Sequence, residues 1–249
     1  MGGKGAVPTM MRIQKYLASA GLASRRKCEE WVKQRRVKIN GAVCELGASV
    51  DPETDIVLVD DAVITKPSQK AVLAFYKPKG VVCAMEDPEG RKTIADFFID
   101  YPLRLFHVGR LDYNSEGLLL MTNDGDLAFR LAHPRFAVEK VYAVICDGIL
   151  SRDKIKKLQS GVMLEDGPTA PATLQNIRTI HSKNGLAQTA FKITIREGRN
   201  RQIRRMLQAV SHEVLFLRRE KIGNLSLGDL SPGAWRELSP DEIQTLVPF

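Results

Sequence analysis

The stretch His107-Val108-Gly109-Arg110-Leu111-Asp112, running into Glu116-Gly117-Leu118-Leu119-Leu120-Met121-Thr122, brings one carboxylate, one guanidinium and two glycines up to an apolar run. An Asp on a turn ahead of a core strand stands where a rigid scaffold presents reacting groups, and an ionised carboxylate there is a candidate for nucleophilic work. Read alone, Gly109 and Gly117 mark turns, and Asp112 can equally cap a turn or pair with Arg110. What Asp112 would act on has to come from the rest of the chain.

The charge distribution points to a polyanion. The 249 residues carry a formal charge of +8. Residues 12–40 hold nine Lys or Arg against Glu29 and Glu30, and residues 196–221 hold eight against Glu197, Glu213 and Glu220. Local excesses of seven and five leave a remainder of −4, so two basic patches sit on an otherwise mildly acidic chain. That pattern suits an acidic partner gripped on two surfaces better than general supercharging. Metal chemistry finds no foothold: His107, His133, His181 and His212 are scattered, and Cys28, Cys44, Cys83 and Cys146 form no Cys-x-x-Cys pair. The cysteines read as reduced thiols of a cytoplasmic protein. The Gly-rich start lacks the apolar run of a signal peptide, and runs such as Val72 to Tyr76 are far too short to span a bilayer. A soluble protein without membrane contact, metal or cofactor is expected, with a monomer as the default.

Two kinds of element must position these residues. Ile13, Tyr16, Leu17 and Ala20 recur at helical spacing up to Gly21, and a second helix is expected from an N-cap at Ser24 to about Arg35. On that helix Arg25, Arg26, Lys33 and Arg36 fall within an arc of roughly 100°, weakened by Glu29. Asn40-Gly41 between Val37-Lys38-Ile39 and Ala42-Val43 predicts a tight hairpin, with a further strand at Ile56 to Val59. Residues 1–10 are expected to be a disordered extension, 11–65 a compact helix-helix-hairpin module, 66–71 a linker and 72–249 a larger domain. In that domain, strands are expected at Val72 to Tyr76, Val81 to Ala84, Leu118 to Thr122, Val141 to Cys146 and Ala190 to Ile195. Helices are expected near 93–99, 125–132, 151–160 and 200–210. This irregular order predicts an α+β fold with a mixed, largely antiparallel sheet rather than alternating βαβ units.

Specific motifs sharpen the reading. Arg12-Ile13-Gln14-Lys15-Tyr16-Leu17-Ala18, Gly21-Leu22-Ala23-Ser24-Arg25-Arg26-Lys27 and Val37-Lys38-Ile39-Asn40-Gly41 resemble the RNA-binding module of small-subunit ribosomal protein S-four. That resemblance implies that Ser24, Arg25, Arg26 and Lys38 lie near RNA phosphates, where cations supply salt-dependent affinity. Phe75-Tyr76-Lys77-Pro78-Lys79-Gly80, Gly109-Arg110-Leu111-Asp112 with Gly117-Leu118-Leu119-Leu120, Thr122-Asn123-Asp124-Gly125 and Leu131-Ala132-His133-Pro134 resemble the signature of the RsuA/RluB family of rRNA pseudouridine synthases. The likeness continues through Glu139-Lys140-Val141-Tyr142, Gly161 to Gly167 and Glu197 to Met206, and is nearest to the branch acting on large-subunit (23S) rRNA.

The resemblance implies isomerisation of a uridine in rRNA, within a large-subunit precursor: the bond from ribose to a uracil nitrogen breaks, the base turns, and a ring carbon rejoins the sugar. It assigns the nucleophile to Asp112, stacking on the displaced base and proton removal to Tyr142, and the cation that keeps Asp112 ionised to Arg204. Arg205 is the alternative if the alignment slips by one; Arg110 is close in sequence, although side chains two apart need not meet at the site. Whether Asp112 attacks the sugar, attacks the ring or helps form a glycal stays open. Arg110, Arg199, Arg201 and Arg205, with Arg218, Arg219 and Lys221 beyond them, are expected to hold RNA phosphates around a flipped-out base. Two other classes compete: a catalytically silent RNA-binding or ribosome-assembly factor, which would tolerate Asn or Ala at position 112, and a structural ribosomal protein, which leaves the larger domain unexplained.

Overall fold

The computed structural model describes residues 10–65 and 69–246. Residues 1–9 of the expected extension and 66–68 of the expected linker lie outside them. The chain divides into two compact units, one of residues 1–70 with 102–105 and one of the remainder.

The first unit runs β1 (Met11–Arg12), α1 (Ile13–Ser19), α2 (Arg25–Lys33), β2 (Val37–Ile39), β3 (Ala42–Val43), β4 (Ser49–Val50), β5 (Val57–Val59) and β6 (Ala62–Val63). Ser24 caps α2 by accepting the Lys27 N–H at 3.2 Å, which satisfies one of the donors every helix start leaves open. Asn40 and Gly41 take φ of 50° and 82°, the pair of positive values that a two-residue hairpin turn demands. Ile13, Leu17, Cys28, Val32, Val37 and Val50 bury against one another and join the helices to the order β3-β2-β5-β6. α2 stops at Lys33, so Arg36 lies beyond the helix and not in its basic arc.

In the second unit the elements are β7 (Val72–Lys77), β8 (Phe106–Val108), β9 (Glu116–Thr122), α3 (Gly125–Ala132), β10 (Lys140–Asp147), α4 (Arg152–Ser160), β11 (Met163–Leu164), β12 (Gly167–Pro168), β13 (Thr173–His181), β14 (Ala187–Ile195), α5 (Gln202–Gln208), β15 (Val214–Ile222), β16 (Leu225–Ser226), β17 (Trp235–Glu237) and α6 (Pro240–Thr245). The main sheet has the order β13-β14-β10-β15-β9-β7-β17, and of its pairs only β15 with β9 is parallel. This is the expected mixed, largely antiparallel α+β sheet. β7 and β9 are buried almost throughout and so read as apolar runs, the signature of strands covered on both faces. The apolar run Val81 to Ala84 forms no strand: Val82 makes a single bridge to Thr93, and the segment is held as a loop. The expected helix near 93–99 is a short 3₁₀ segment, Ile94–Phe97. Among the described residues no helix is long and apolar enough to cross a membrane.

Candidate active site

Strand register builds the floor of the site. Paired residues in a sheet point to the same face. Tyr142 on β10 pairs with Arg219 on β15, Arg219 with Gly117 on β9, and Gly117 with Lys77 on β7. One row across four strands therefore presents a phenol, a guanidinium, a gap and an ammonium. A β-bulge sets this row: the partner changes from Lys221 at Val141 to Arg219 at Tyr142, which skips Glu220. Bulges re-aim side chains beside functional sites, and here the bulge puts a cation next to Tyr142 where a regular ladder would put an acid. Gly117 is required by the same crowding. Its φ is +106°, and a Cβ there would lie 2.3 Å from the Arg219 carbonyl oxygen.

Asp112 stands over this floor on a turn closed by Ser115 N–H donating to the Asp112 carbonyl at 3.0 Å. Lys77, fully buried, holds the turn from below by donating to the carbonyls of Ser115 and Pro78, each at 2.9 Å. Burial pushes the Lys77 ammonium down to about 8, against the pull of the Cys83, Asp112 and Glu116 groups. Arg204, on α5, fastens the turn from the side: Nη2 donates to the Asn114 carbonyl at 2.9 Å and the Ser115 hydroxyl at 3.2 Å, and Nη1 donates to the Val214 carbonyl at 3.2 Å. Its Nε lies 3.7 Å from Asp112 Oδ2, an ion-pair distance, and has no hydrogen-bond acceptor among the described residues. Burial lowers the Arg204 pKa and the Asp112 charge opposes that shift.

Arg205 is turned away from Asp112 and makes a two-pronged ion pair with Asp166, at 2.8 and 3.1 Å. Arg199 reaches the same β11–β12 turn, donating to the Gly167 carbonyl at 2.9 Å. Both are spent on internal structure rather than left open for phosphate. Arg110 and Arg201 are exposed and form no ion pair among the described residues, and Arg110 makes none with Asp112. Arg219, expected from sequence to hold phosphate, is 3% exposed and lies inside the sheet. It donates from Nε to the Leu118 carbonyl at 2.6 Å and from Nη1 to the Tyr142 hydroxyl at 3.4 Å. In the first unit Arg25 and Arg26 are exposed with no ion pair among the described residues, whereas Lys38 is held by Asp61 at 2.6 Å and Arg36 by Asp60.

Asp112, Tyr142, Arg219 and Lys140 line one open cleft. The lining contains Arg110, Lys140, Arg199, Arg201 and Arg219 but only one acid, Asp112. A carboxylate beside a guanidinium, a tyrosine at the wall and a cationic rim suit covalent or proton-transfer chemistry on part of a polyanion. Residues 71–209 match the family described as RNA pseudouridylate synthase, and residues 11–57 match the S4 domain.

The chain belongs to the RNA pseudouridylate synthase family.

This synthase is 42% identical over 238 residues to the ribosomal large subunit pseudouridine synthase B of Bacillus subtilis (strain 168), which covers 95% of this chain and 96% of that relative. It is 43% identical to the protein of the same name from Yersinia pestis, over 91% of this chain and 72% of the relative. A solved structure titled "Crystal structure of pseudouridylate synthase" superimposes with a TM-score of 0.67 at 32% identity, over 95% of this chain and all of that one. Sequence reasoning had singled out Asp112, Tyr142 and Arg204 in the synthase but gave no role to Lys77, Lys140 or a buried Arg219. One signal was available: Lys140 and Tyr142, two apart on a strand, must share a face.

Proposed function

We propose that the protein converts a specific uridine of large-subunit (23S) ribosomal RNA to pseudouridine, in the cytoplasm and on a precursor of the subunit, as a monomer. Asp112 is the nucleophile, Arg204 the cation that holds it ionised and aimed, and Tyr142 the aromatic group that packs on the extruded base and takes its ring proton. The observation that carries this reading is the placement of Asp112 Oδ2 3.7 Å from Arg204 Nε in a cleft that Tyr142 also lines. The isomerisation conserves every atom of the uridine, so its balance calls for no group donor. The large-subunit assignment rests on relatives bearing that name across nearly the whole chain. Residues 11–65 serve as an S4-type RNA-binding module and residues 72–249 as the catalytic domain, with Arg25, Arg26, Arg110 and Arg201 as the open cations for phosphate and Ser24 beside them. Four buried free cysteines suit a reducing compartment.

The test maps pseudouridines in rRNA from cells lacking the protein and then restores either wild type or Asp112→Asn. Wild type should return one missing modification, and the variant, isosteric but uncharged, should leave it absent while folding normally. A modification restored by Asp112→Asn would sink the nucleophile assignment; no missing site in large-subunit rRNA would sink the substrate.

A further inference from the structure

The cleft floor holds more positive charge than its one carboxylate can answer. Arg219 lines the cleft, is almost wholly buried, and has no ion-pair partner among the described residues. Its Nη2 has no acceptor at all. Lys140, on the same face of β10 as Tyr142, also lines the cleft; among the described residues it has no ion pair and donates only to the Val138 carbonyl, at 3.1 Å. Burial first and the neighbouring Arg219 charge second push the Lys140 ammonium down to about 8. Uncompensated buried charge is costly, so a fold that keeps it has an anion to place there.

The reaction read above makes such an anion at this depth. When the N1–C1′ bond breaks, its electron pair goes to N1 and the uracil leaves as an anion, with charge spread over N1, O2 and O4. The sugar carbon is then held by Asp112 as an ester or becomes a glycal by passing a C2′ proton to it. The ring turns and C5 bonds to C1′ as the Asp112 ester bond breaks or, on the glycal route, as Asp112 returns the proton to C2′; the C5 proton then leaves by way of Tyr142 and N1 regains one. Neutral uracil in the ground state gains little from a cation, whereas the detached anion gains much, which is the condition for lowering a barrier.

We propose that Arg219 and Lys140 form the binding site for the detached uracil anion and stabilise the transition state for glycosidic cleavage. This rests on the pseudouridine synthase reading. Arg219 and Lys140 are on this account catalytic residues, since they touch the departing base. A backbone phosphate is the other anion that could use the same chemistry. It differs in being present in the ground state, so the two sources separate in kinetics.

The experiment compares single-turnover rates on RNA with uridine or 5-fluorouridine at the target, following loss of the N-glycosidic linkage by nuclease digestion and mass spectrometry. Fluorine stabilises the uracil anion by itself and so reduces the help the enzyme must give. Arg219→Gln should slow uridine RNA about 100-fold and the fluorinated RNA about tenfold or less, with KM within about twofold of wild type. Lys140→Met should show the same pattern more mildly, and Arg219→Lys should recover part of the rate. If Arg219→Gln fails to fold through loss of its bond to Leu118, Lys140→Met and Arg219→Lys decide. Equal slowing on both RNAs overturns the proposal. So does a raised KM and a shallower salt dependence with the rate unchanged, which marks a phosphate site. Wild type that converts neither RNA defeats the underlying reading and this inference with it.

Discussion

Lys140 meets two opposed demands. Its ammonium is pushed down to about 8 from 10.5 by burial first and by Arg219 second, while Asp112 is the one acid lining the same cleft. Its folded-state value lies below its unfolded one, so the charged form destabilises the fold below about pH 8, and stability rises as pH climbs from there towards 10.5. If the ammonium stabilises the departing base, catalysis runs the other way: the chemical rate should fall as pH rises through about 8, over the range in which the protein becomes no less stable. A pH series of single-turnover rates beside melting temperatures checks this. Lys140→Arg, charged throughout, should lose the alkaline decline; a decline that persists in that variant would assign it elsewhere, Lys77 being the other ammonium pushed down to about 8. At this scale sequence was informative for Asp112 and Arg204 because a specific motif carried them. It favoured Arg204 and kept Arg205 as the alternative; Arg205, about 100° away on α5, is engaged by Asp166. Arg219 was misread because the bulge at Glu220 that turns it inward leaves no mark in a pattern of alternating residues.

Among the elements, β9 and β15 form the one parallel pair of the main sheet, and their approach at Gly117 fixes where the row from Tyr142 to Lys77 lies. Two glycines of the Asp112 region make a contrast. Gly109 has φ +70° with open space where a Cβ would go, whereas Gly117 has φ +106° and the Arg219 backbone 2.3 Å from that position. Gly109→Ala should therefore cost about 1 kcal/mol, the strain of a left-handed residue alone. Gly117→Ala should cost about 2 to 4 kcal/mol and displace Arg219, reducing turnover beyond what lost stability explains. Denaturant unfolding of both variants, with rates measured well below the transition, provides the check; equal destabilisation would mean that the strand approach is not tight. The same physics explains what was legible among elements. β7, β9, β10 and the helices α1 to α5 announced themselves by period, caps or unbroken apolar runs. β13 did not, since seven of its nine residues are exposed and its apolar residues Leu174, Ile177 and Ile180 do not alternate, so its composition resembles a loop. Val81 to Ala84 misled in the opposite sense: apolar burial there is met by loop packing, with bonds Val82 N–H to the Lys92 carbonyl and Ile94 N–H to the Val82 carbonyl, both near 3 Å.

For the whole molecule, the formal charge of +8 is less useful than knowing which cations are open. In the first unit Lys27, Arg36 and Lys38 are matched by Glu30, Asp60 and Asp61, which leaves Arg25, Arg26, Lys33 and Arg35 exposed without an ion pair among the described residues; in the second, Asp166 engages Arg199 and Arg205, which leaves Arg110 and Arg201 exposed at the cleft. Charge counting from sequence gave the two patches but overstated each, because Asp60, Asp61 and Asp166, which neutralise part of them, lie outside the counted stretches. If both units hold the same RNA, two moderate affinities combine through a shared ligand, and each open arginine adds a phosphate contact with its own release of counterions. Arg25→Gln/Arg26→Gln should lower the slope of log affinity against log salt by about 2, and Arg110→Gln/Arg201→Gln by about the same. Combining all four should lower it by about 4, since residues on separate units with no shared contact act additively. A salt titration of binding to a fragment of the target rRNA reads all three directly. A pair whose loss leaves the slope unchanged does not touch the RNA backbone, and a quadruple variant no worse than one pair would show that only one unit meets the substrate.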